Sequence, residues 1–268
     1  MSDIFSRFAP FIQDYIYRCK WEELREIQVL AAKAIFDTDE NLLLSSGTAS
    51  GKTEAAFLPV LTQLWENPSA SVGVLYLSPL KALINDQFER LEGLLEEAAI
   101  PVTKWHGDAS AAAKKRVMKR PQGVIQTTPE SLESMLMHNS SGAYRLFSDL
   151  RFIIIDEMHY FMDNDRGLQL LCLLERLARL IGYHPRRIGL SATLGDCTSA
   201  VQWLNTDSGR DCIVPKCHEK GRSLRLSVRF FPIKEKIPNS DSKVLLQNYY
   251  DYLFESTWNK RCILFSNS

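Results

Sequence analysis

The segment NLLLSSGTASGKT, residues 41–53, decides the fold of this chain. Its first four residues form an apolar run typical of a buried strand, and a turn rich in small residues ends at Lys52 and Thr53. Such a turn lets backbone N–H groups surround phosphates at the positive end of the following helix. Lys52 would reach the β- and γ-phosphates of a nucleotide, and the Thr53 hydroxyl would bind Mg²⁺. The other predicted ligands are Thr48, Ala49, Ser50 and Gly51. A strand–helix turn with a surface lysine is the alternative, which the flanking strand and helix disfavour.

A second pattern, FIIIDEMH at residues 152–159, places an acidic pair directly after another apolar strand. The carboxyl ends of parallel strands share one edge of a sheet, so Asp156 and Glu157 are predicted to lie beside the phosphate loop. Asp156 could then hold the Mg²⁺ that Thr53 also contacts, and Glu157 could deprotonate a water molecule for attack on the γ-phosphate. An acidic helix cap after a strand is the alternative for this pair.

Short apolar runs alternate with amphipathic stretches as far as about residue 205. The predicted strands are 41–44, 72–77, 102–105, 124–127, 152–155 and 187–190. Leucines at helical spacing predict helices over 80–95 and 168–177, and two further helices are expected over 8–17 and 22–35. This alternation predicts an α/β fold, a three-layer sandwich with a mostly parallel central sheet.

Two of the predicted strand ends place a hydroxyl residue before a proline. Ser78 precedes Pro79, and Thr128 precedes Pro129 and Glu130. Such pairs start helices well, because the hydroxyl caps the helix and proline fits its first position. Two helix starts at one sheet edge could also hold successive phosphates of a nucleic-acid backbone, without reading its sequence. Both interpretations stay open at this point.

A third strand end carries Ser191 and Thr193 on either side of Ala192. Small hydroxyl residues there could hydrogen-bond the carboxylates at 156–159 and so sense the γ-phosphate. A polar turn at the end of a strand is an equally good interpretation of this chemistry.

The composition and periodicity of the sequence change after residue 205. Segment 205–222 is rich in Asn, Asp, Gly, Lys and Cys and is predicted to be a connection. A strand over 224–231, a helix over 243–258 and a strand over 262–265 are predicted to follow. We therefore expect a first domain over 1–205 and a linker with the truncated beginning of a second domain over 206–268, as in an N-terminal fragment of a longer protein.

Composition narrows the class of protein. The 268 residues are 45% hydrophobic, which excludes a disordered or fibrous chain, and no apolar run approaches the roughly 20 residues that span a bilayer. The 32 basic residues equal the 32 acidic ones in number, so a nucleic-acid site would be a local region of the surface and not the whole of it. The six cysteines form no CxxC pair and predict reduced thiols in a cytoplasmic protein without a membrane span. Only Cys212, Cys217 and His218 hint at a metal, and a loop or short hairpin is the favoured interpretation there.

These motifs, in this order, resemble the first RecA-like domain of superfamily-2 helicases of the DEAD/DEAH type over roughly residues 8–205. SSGTASGKT resembles motif I, LSPLKAL motif Ia, TTPESL the next strand-contacting motif, DEMH motif II and SAT motif III. WHGD at 105–108, followed by the basic residues 114–116, and RGLQLLCLLERL at 166–177 are most similar to Lhr-type (large helicase-related) proteins. The ending, RCILFSNS, resembles the strand that opens motif IV in the second RecA-like domain.

The resemblance implies an ATP- and Mg²⁺-dependent helicase or nucleic-acid-dependent ATPase. Gln28 would select adenine, with Arg25 as a weaker candidate. The coupling residues His159, Ser191 and Thr193 would link the state of the bound nucleotide to the hold on the nucleic-acid strand. The implied nucleic-acid contacts are Pro79, Leu80, Lys81, Gly107, Thr128, Pro129 and Glu130. DNA is favoured over RNA. The remainder of the parent chain would supply the second domain and its arginines, so we expect residues 1–268 alone to be nearly inactive.

Two other function classes stay open from the residues. Another class of P-loop ATPase, such as a transporter motor, would share the phosphate loop, but the chain has no LSGGQ element. A non-catalytic nucleic-acid-binding module would have no need of Lys52, Thr53, Asp156 and Glu157 together. Nucleic-acid stimulation of ATP hydrolysis separates the first alternative from a helicase, and phosphate release separates the second.

Overall fold

The computed structural model of the protein describes residues 3–47, 50–85, 94–95, 98–192, 194–217, 227–231 and 247–264. Contacts divide the chain into two compact units, Met1–His218 and Glu219–Ser268. The first unit contains every strand of the described residues. No helix among those residues is long and apolar enough to cross a membrane.

A parallel sheet of seven strands forms the centre of the first unit, in the order β3-β4-β2-β5-β6-β1-β7. The strands are β1 (Asn41–Ser45), β2 (Val72–Leu77), β3 (Val102–Trp105), β4 (Gly123–Thr127), β5 (Phe152–Ile155), β6 (Arg186–Ser191) and β7 (Cys212–Ile213). Leucine, isoleucine and valine fill both faces of the inner strands, as expected for a sheet that is covered on both sides.

Helices cover both faces of this sheet. They are α1 (Pro10–Arg18), α2 (Glu26–Asp37), α3 (Lys52–Glu66), α4 (Ala111–Lys119), α5 (Pro129–His138), α6 (Ser140–Phe147), α7 (Asp165–Ile181) and α8 (Thr198–Asn205). One hydrophobic cluster joins the sheet to α1, α2 and α3, and a second joins its other face to α4 through α8. The three-layer α/β sandwich predicted from the sequence is therefore confirmed.

Most element predictions agree with the structure to within a few residues. Strands β2, β3 and β5 have the predicted bounds, and Pro10 is the first residue of α1. Residues 81–85 of the predicted 80–95 helix are helical, whereas residues 86–93 and 96–97 lie outside the described residues.

The connection predicted over 205–222 is wrong in part, because Cys212–Ile213 form β7 and pair with Asn41 and Leu42 of β1. Two residues are too short a run for a strand pattern to show in the sequence. The first compact unit accordingly extends beyond residue 205.

The second unit contains α9 (Gln247–Thr257), inside the helix predicted over 243–258. Residues 227–231 and 262–264 are not strands, contrary to the predictions over 224–231 and 262–265, and the remaining residues of those two segments lie outside the described ones. A strand needs a hydrogen-bonded neighbour, and none of the described residues of the second unit supplies one. The domain division at residues 205 and 206 stays a prediction.

Two buried arginines open β6, where the sequence predicts only the start of a strand. Arg186 donates hydrogen bonds of 2.6–3.0 Å to the backbone carbonyls of Ala34, Ile35, Thr38 and Glu40, at the end of α2. Arg187 donates to the carbonyls of Leu204 and Thr206, at the end of α8. Burial lowers the pKa of Arg186 to about 10, which leaves the side chain charged at neutral pH. Each arginine thus donates to carbonyls at and just after the carboxyl end of a helix, where intrahelical donors run out.

We expect Arg186→Met to lower the free energy of unfolding by about 2–4 kcal/mol, because several buried carbonyls lose a charged donor. Urea unfolding followed by circular dichroism would measure the change. Arg179→Met is the matched control, since it removes a 2.7 Å ion pair with Glu175 at the surface and should leave the free energy of unfolding almost unchanged. Equal effects of the two substitutions would contradict the capping role of Arg186.

Candidate nucleotide-binding site

The predicted phosphate loop and the acidic pair leave the same edge of the sheet. Strand β6 lies between β1 and β5, with Ser191 in register with Ser45 and Gly189 in register with Ile155. Two strand spacings, about 10 Å, therefore separate the ends of β1 and β5. The Ser46 N–H donates to the Ser191 carbonyl at 3.4 Å, which joins the start of the loop to the end of β6.

The phosphate loop turns directly into α3. Gly51 precedes the first helical residue with a φ of +86°, a left-handed conformation that side chains disfavour. The Lys52 Nζ donates to the carbonyls of Ser46 at 2.6 Å and Gly47 at 2.9 Å, while the hydroxyls of Ser46 and Ser50 lie 2.6 Å apart. The predicted ligands Thr48 and Ala49 lie outside the described residues.

Lys52 interacts electrostatically with both carboxylates of the acidic pair. Burial lowers the pKa of Lys52, while the negative charges of Glu157 and Asp156 act in the opposite direction. The structure therefore brings together the lysine after β1 and the two carboxylates after β5. The side chain of Thr53, in the first turn of α3, is partly buried.

Asp156 is held by groups from two elements. Its side chain is buried, and burial raises the pKa of its carboxyl. The Tyr76 hydroxyl donates to Oδ2 from the neighbouring strand β2, and the Glu157 N–H donates to Oδ1 at 3.0 Å. The sequence alone does not single out Tyr76, because an aromatic residue in a buried strand suggests packing. Its hydroxyl, in a strand that otherwise has only apolar side chains, was the available signal.

His159 connects the loop after β5 to the loop after β6. Its Nδ1 lies 3.3 Å from Glu157 Oε2 and 3.4 Å from the Ala192 backbone nitrogen. One ring nitrogen either accepts a hydrogen bond from Ala192 or donates one to Glu157, so the two contacts exclude each other. Glu157 itself has a φ of +46°, which is uncommon for a residue with a side chain.

The hydroxyl of Ser191 does not make the predicted hydrogen bond to the carboxylates. Ser191 is fully buried, and its Oγ has no hydrogen-bond partner. The contact between the two loops is made by the Ala192 backbone, one residue further along the chain. Thr193 lies outside the described residues.

The side chain of Gln28 reaches the phosphate loop from α2. Gln28 is buried, and its Oε1 accepts a hydrogen bond of 2.9 Å from the backbone N–H of Arg25. A Cβ atom placed on Gly51 would lie 3.0 Å from Gln28 Nε2 and 3.5 Å from Arg25 Cδ. The start of α2 therefore adjoins the start of α3, and Arg25 lies on the same side of the loop.

The predicted nucleic-acid contacts lie at the ends of three adjacent strands, β2, β3 and β4. Thr128 caps α5, and Pro129 is its first residue, as predicted. Leu80 is exposed, and Lys81 Nζ lies 2.8 Å from Asp108 Oδ2. A Cβ atom on Gly107 would lie 3.7 Å from Lys81 Nζ, so the Lys81 side chain reaches from the segment after β2 to the loop after β3.

Glu130 differs from the other predicted contacts because its carboxylate has a partner in the chain. Arg166 Nε donates to Glu130 Oε1 at 2.7 Å. Burial acts to raise the pKa of Glu130, but the hydrogen bond from Arg166 and further hydrogen bonds to the carboxyl lower it below its ordinary value. The sequence analysis gave no role to Arg166.

The donor set at the sheet edge fits Mg²⁺, since a carboxylate and a hydroxyl are ligands that this ion prefers. Within the described ranges, no group of three or more His, Cys, Asp or Glu residues could hold a metal ion by itself. Cys212 and Cys217 belong to those ranges, whereas His218 does not.

Known helicases match this chain in sequence. Residues 25–200 match the family model described as DEAD/DEAH box helicase. The chain is 32% identical to the ATP-dependent helicase Lhr-Core of Methanocaldococcus jannaschii, over 94% of this chain and 31% of that protein. The chain thus spans about a third of the length of this relative.

Solved structures agree with this match. The helicase Lhr of Mycobacterium smegmatis, bound to single-stranded DNA and AMP-PNP, has a TM-score of 0.75 and 28% identity, covering 95% of this chain and 33% of that one. The helicase MrfA bound to DNA has a TM-score of 0.69 and 27% identity, covering 80% of this chain and 30% of that one. The fold is RecA-like, as the sequence resemblance implied.

We expect Ser191→Ala to leave the free energy of unfolding unchanged or to raise it by up to about 1 kcal/mol, because a buried hydroxyl without a partner is removed. Chemical denaturation would measure this value. Ser71→Ala is the control: Ser71 is equally buried, but its hydroxyl accepts a 2.7 Å hydrogen bond from the Asp149 N–H. A larger loss of stability in S191A than in S71A would show that the Ser191 hydroxyl has a partner in solution.

Proposed function

The chain belongs to the DEAD/DEAH box helicase family, and from this premise we propose that it is the ATP-binding lobe of a nucleic-acid-dependent ATPase. The whole protein would couple ATP hydrolysis to translocation along a nucleic acid or to its unwinding. The observation that carries the proposal is the convergence of Lys52, Asp156 and Glu157 at one edge of the sheet.

Each residue of this group has a distinct role in hydrolysis. Lys52 would bind the β- and γ-phosphates, which would replace the loop carbonyls as its partners. Thr53 and Asp156 would hold Mg²⁺, and the ion supplies positive charge to the transferring phosphoryl group. Glu157 would orient a water molecule and accept its proton.

The residues around this group would recognise the rest of the nucleotide. The backbone from Thr48 to Gly51 would donate hydrogen bonds to phosphate oxygens, as the N-terminus of α3 favours anions. Gln28 would select adenine, and its contact with the Gly51 region supports this role. Arg25 is the weaker candidate on the same side.

A nucleic-acid backbone would follow the ends of β2, β3 and β4. Pro79, Leu80 and Lys81 would hold it at the first helix start, and Thr128, Pro129 and Glu130 would hold it at the second. Gly107 would let the backbone approach closely between them. These contacts would be made to phosphate and sugar groups, so we expect nucleic-acid binding without sequence specificity.

His159, Ser191 and Thr193 would make the binding of nucleic acid depend on which nucleotide is bound. The competing contacts of His159 support the idea, because a change at Glu157 would decide whether Nδ1 bonds to Glu157 or to Ala192 instead. The Ser191 hydroxyl, which lacks a partner, would gain one when nucleotide or the second lobe is bound.

The remaining proposals concern the whole protein. Residues 1–205 would form the first RecA-like domain, and residues 206–268 the linker and the beginning of a second. Arginines of that second domain would raise the rate of hydrolysis by a factor of about 10³–10⁵, so the chain alone would be nearly inactive.

We favour DNA over RNA as the partner, since the solved relatives of similar identity are bound to DNA. A motor of this class would work in the cytoplasm.

Phosphate release by the protein that carries this chain tests the proposal. We expect hydrolysis that single-stranded nucleic acid stimulates strongly. Hydrolysis without stimulation would indicate another class of P-loop ATPase, and nucleic-acid binding without hydrolysis would indicate a non-catalytic module. Robust stimulated turnover by residues 1–268 alone would contradict the need for arginines from a second domain.

We expect Glu157→Gln to retain ATP binding and to reduce turnover by about 10²–10⁴-fold, because the amide cannot accept the proton of water. Fluorescent-nucleotide titration and steady-state phosphate release measure the two quantities separately. Glu133→Gln, which changes a carboxylate of α5 that accepts a hydrogen bond from Gln169, is the control. Unchanged turnover in E157Q would remove Glu157 from the role of base.

We expect Tyr76→Phe to raise the Mg²⁺ concentration that gives half-maximal hydrolysis by about tenfold, since Asp156 loses the donor that orients it. The ring keeps its packing, 5.7 Å from the centroid of Phe57. Tyr183→Phe is the matched control, because its hydroxyl donates to the Leu150 carbonyl at the opposite edge of the sheet. The same Mg²⁺ dependence in Y76F and Y183F would contradict the orienting role.

A further inference from the structure

Arg166 joins two of the proposed nucleic-acid contacts. It is the second residue of α7, the helix that follows β5 and the acidic pair. Its Nη2 donates to the Pro79 carbonyl at 2.6 Å, and its Nε donates to Glu130 Oε1 at 2.7 Å. One guanidinium group therefore bridges the helix start after β2 and the helix start after β4.

The start of α7 holds Arg166 in this place. Asn164 caps the helix by accepting from the Gly167 N–H, and its amide donates to the carbonyls of Tyr160 and Met162. A Cβ atom on Gly167 would lie 1.6 Å from the Phe161 carbonyl oxygen, so only glycine allows this close approach. The guanidinium carbon of Arg166 lies 5.4 Å from the centroid of the Phe161 ring. The segment that directly follows His159 thus fixes the arginine.

The chemistry of the bridge needs an arginine. A planar guanidinium donates in two directions at fixed angles, whereas a lysine ammonium is a single point of charge. The bridge also reduces a repulsion between like charges. Glu130 places a negative carboxylate at a helix start that is proposed to bind a negative phosphate. Pairing with Arg166 neutralises that carboxylate, which also hydrogen-bonds with its own backbone N–H and with the Thr128 side chain at the start of α5.

We propose that Arg166 is a positioning residue for the nucleic-acid backbone, which sets the spacing between the helix starts at Pro79 and Pro129 and links both to the segment after the acidic pair. The inference rests on the proposed function. In this role Arg166 needs no contact with nucleic acid. Its displacement would change the distance between two phosphate contacts, and a shift at Glu157 or His159 would reach both contacts through residues 160–165.

Binding of a fluorescently labelled single-stranded oligonucleotide by the 268-residue chain tests this role. We expect Arg166→Met to raise the Kd about tenfold, the effect of losing charge-assisted hydrogen bonds that position a partner. Arg166→Lys keeps the charge but not both bonds and should give an intermediate Kd. Arg179→Met loses an ion pair of the same length, 2.7 Å, on the same helix and should bind as the unaltered chain does.

A second measurement separates positioning from a general loss of structure. In the protein that carries this chain, R166M should raise the oligonucleotide concentration for half-maximal ATPase stimulation about tenfold more than it raises KM for ATP. Thermal unfolding identifies a variant that has lost its fold, and R166K then decides the question. Equal oligonucleotide binding by the Arg166 variants and R179M overturns the inference. Absence of oligonucleotide binding by the unaltered protein that carries this chain contradicts the proposed function instead.

Discussion

The placement of a lysine and two carboxylates at one edge of the sheet is the constraint on which the proposed site depends. Burial raises the pKa of Asp156, and the hydrogen bonds from Tyr76 and from the Glu157 N–H act against that effect. Burial lowers the pKa of Lys52, whose Nζ donates to carbonyls of the phosphate loop. The sheet makes this placement possible, because β6 lies between β1 and β5 and parallel pairing brings both loops to the same edge.

The same edge also carries the proposed nucleic-acid contacts, and β5 connects the two sites. Its carboxyl end leads to Asp156 and Glu157, then to His159, and then through residues 160–165 to Arg166 at the start of α7. A nitrogen of His159 has two mutually exclusive partners, and Arg166 holds two helix starts at once. The proposed route from nucleotide to nucleic acid would thus be about ten residues long and would follow covalent connection as well as side-chain contact. Coupling of this kind needs an element with two arrangements, and His159 would supply it by exchanging one partner for the other.

The sequence predicts the sheet well because apolar strands and amphipathic helices leave regular patterns. It also places Lys52, Asp156 and Glu157 correctly at one edge, since parallel pairing follows from alternating strands and helices. Other features depend on contacts between residues far apart in the chain, which periodicity does not record. Tyr76 contacts Asp156 across 80 positions, and Arg166 contacts Pro79 across 87. The strand at Cys212–Ile213 was missed because two residues carry no pattern. The predicted hydrogen bond of Ser191 was wrong because the backbone of the next residue makes the contact between loops.

The two buried arginines of β6 have a consequence for how this lobe can change. They attach the ends of α2 and α8 to the amino end of the sheet, opposite the edge that carries the chemistry. These anchoring hydrogen bonds lie at one rim of the sheet, and most proposed ligand contacts belong to loops and helix starts on the other. Movement of those loops when a ligand binds would therefore leave the attachment of α2 and α8 in place.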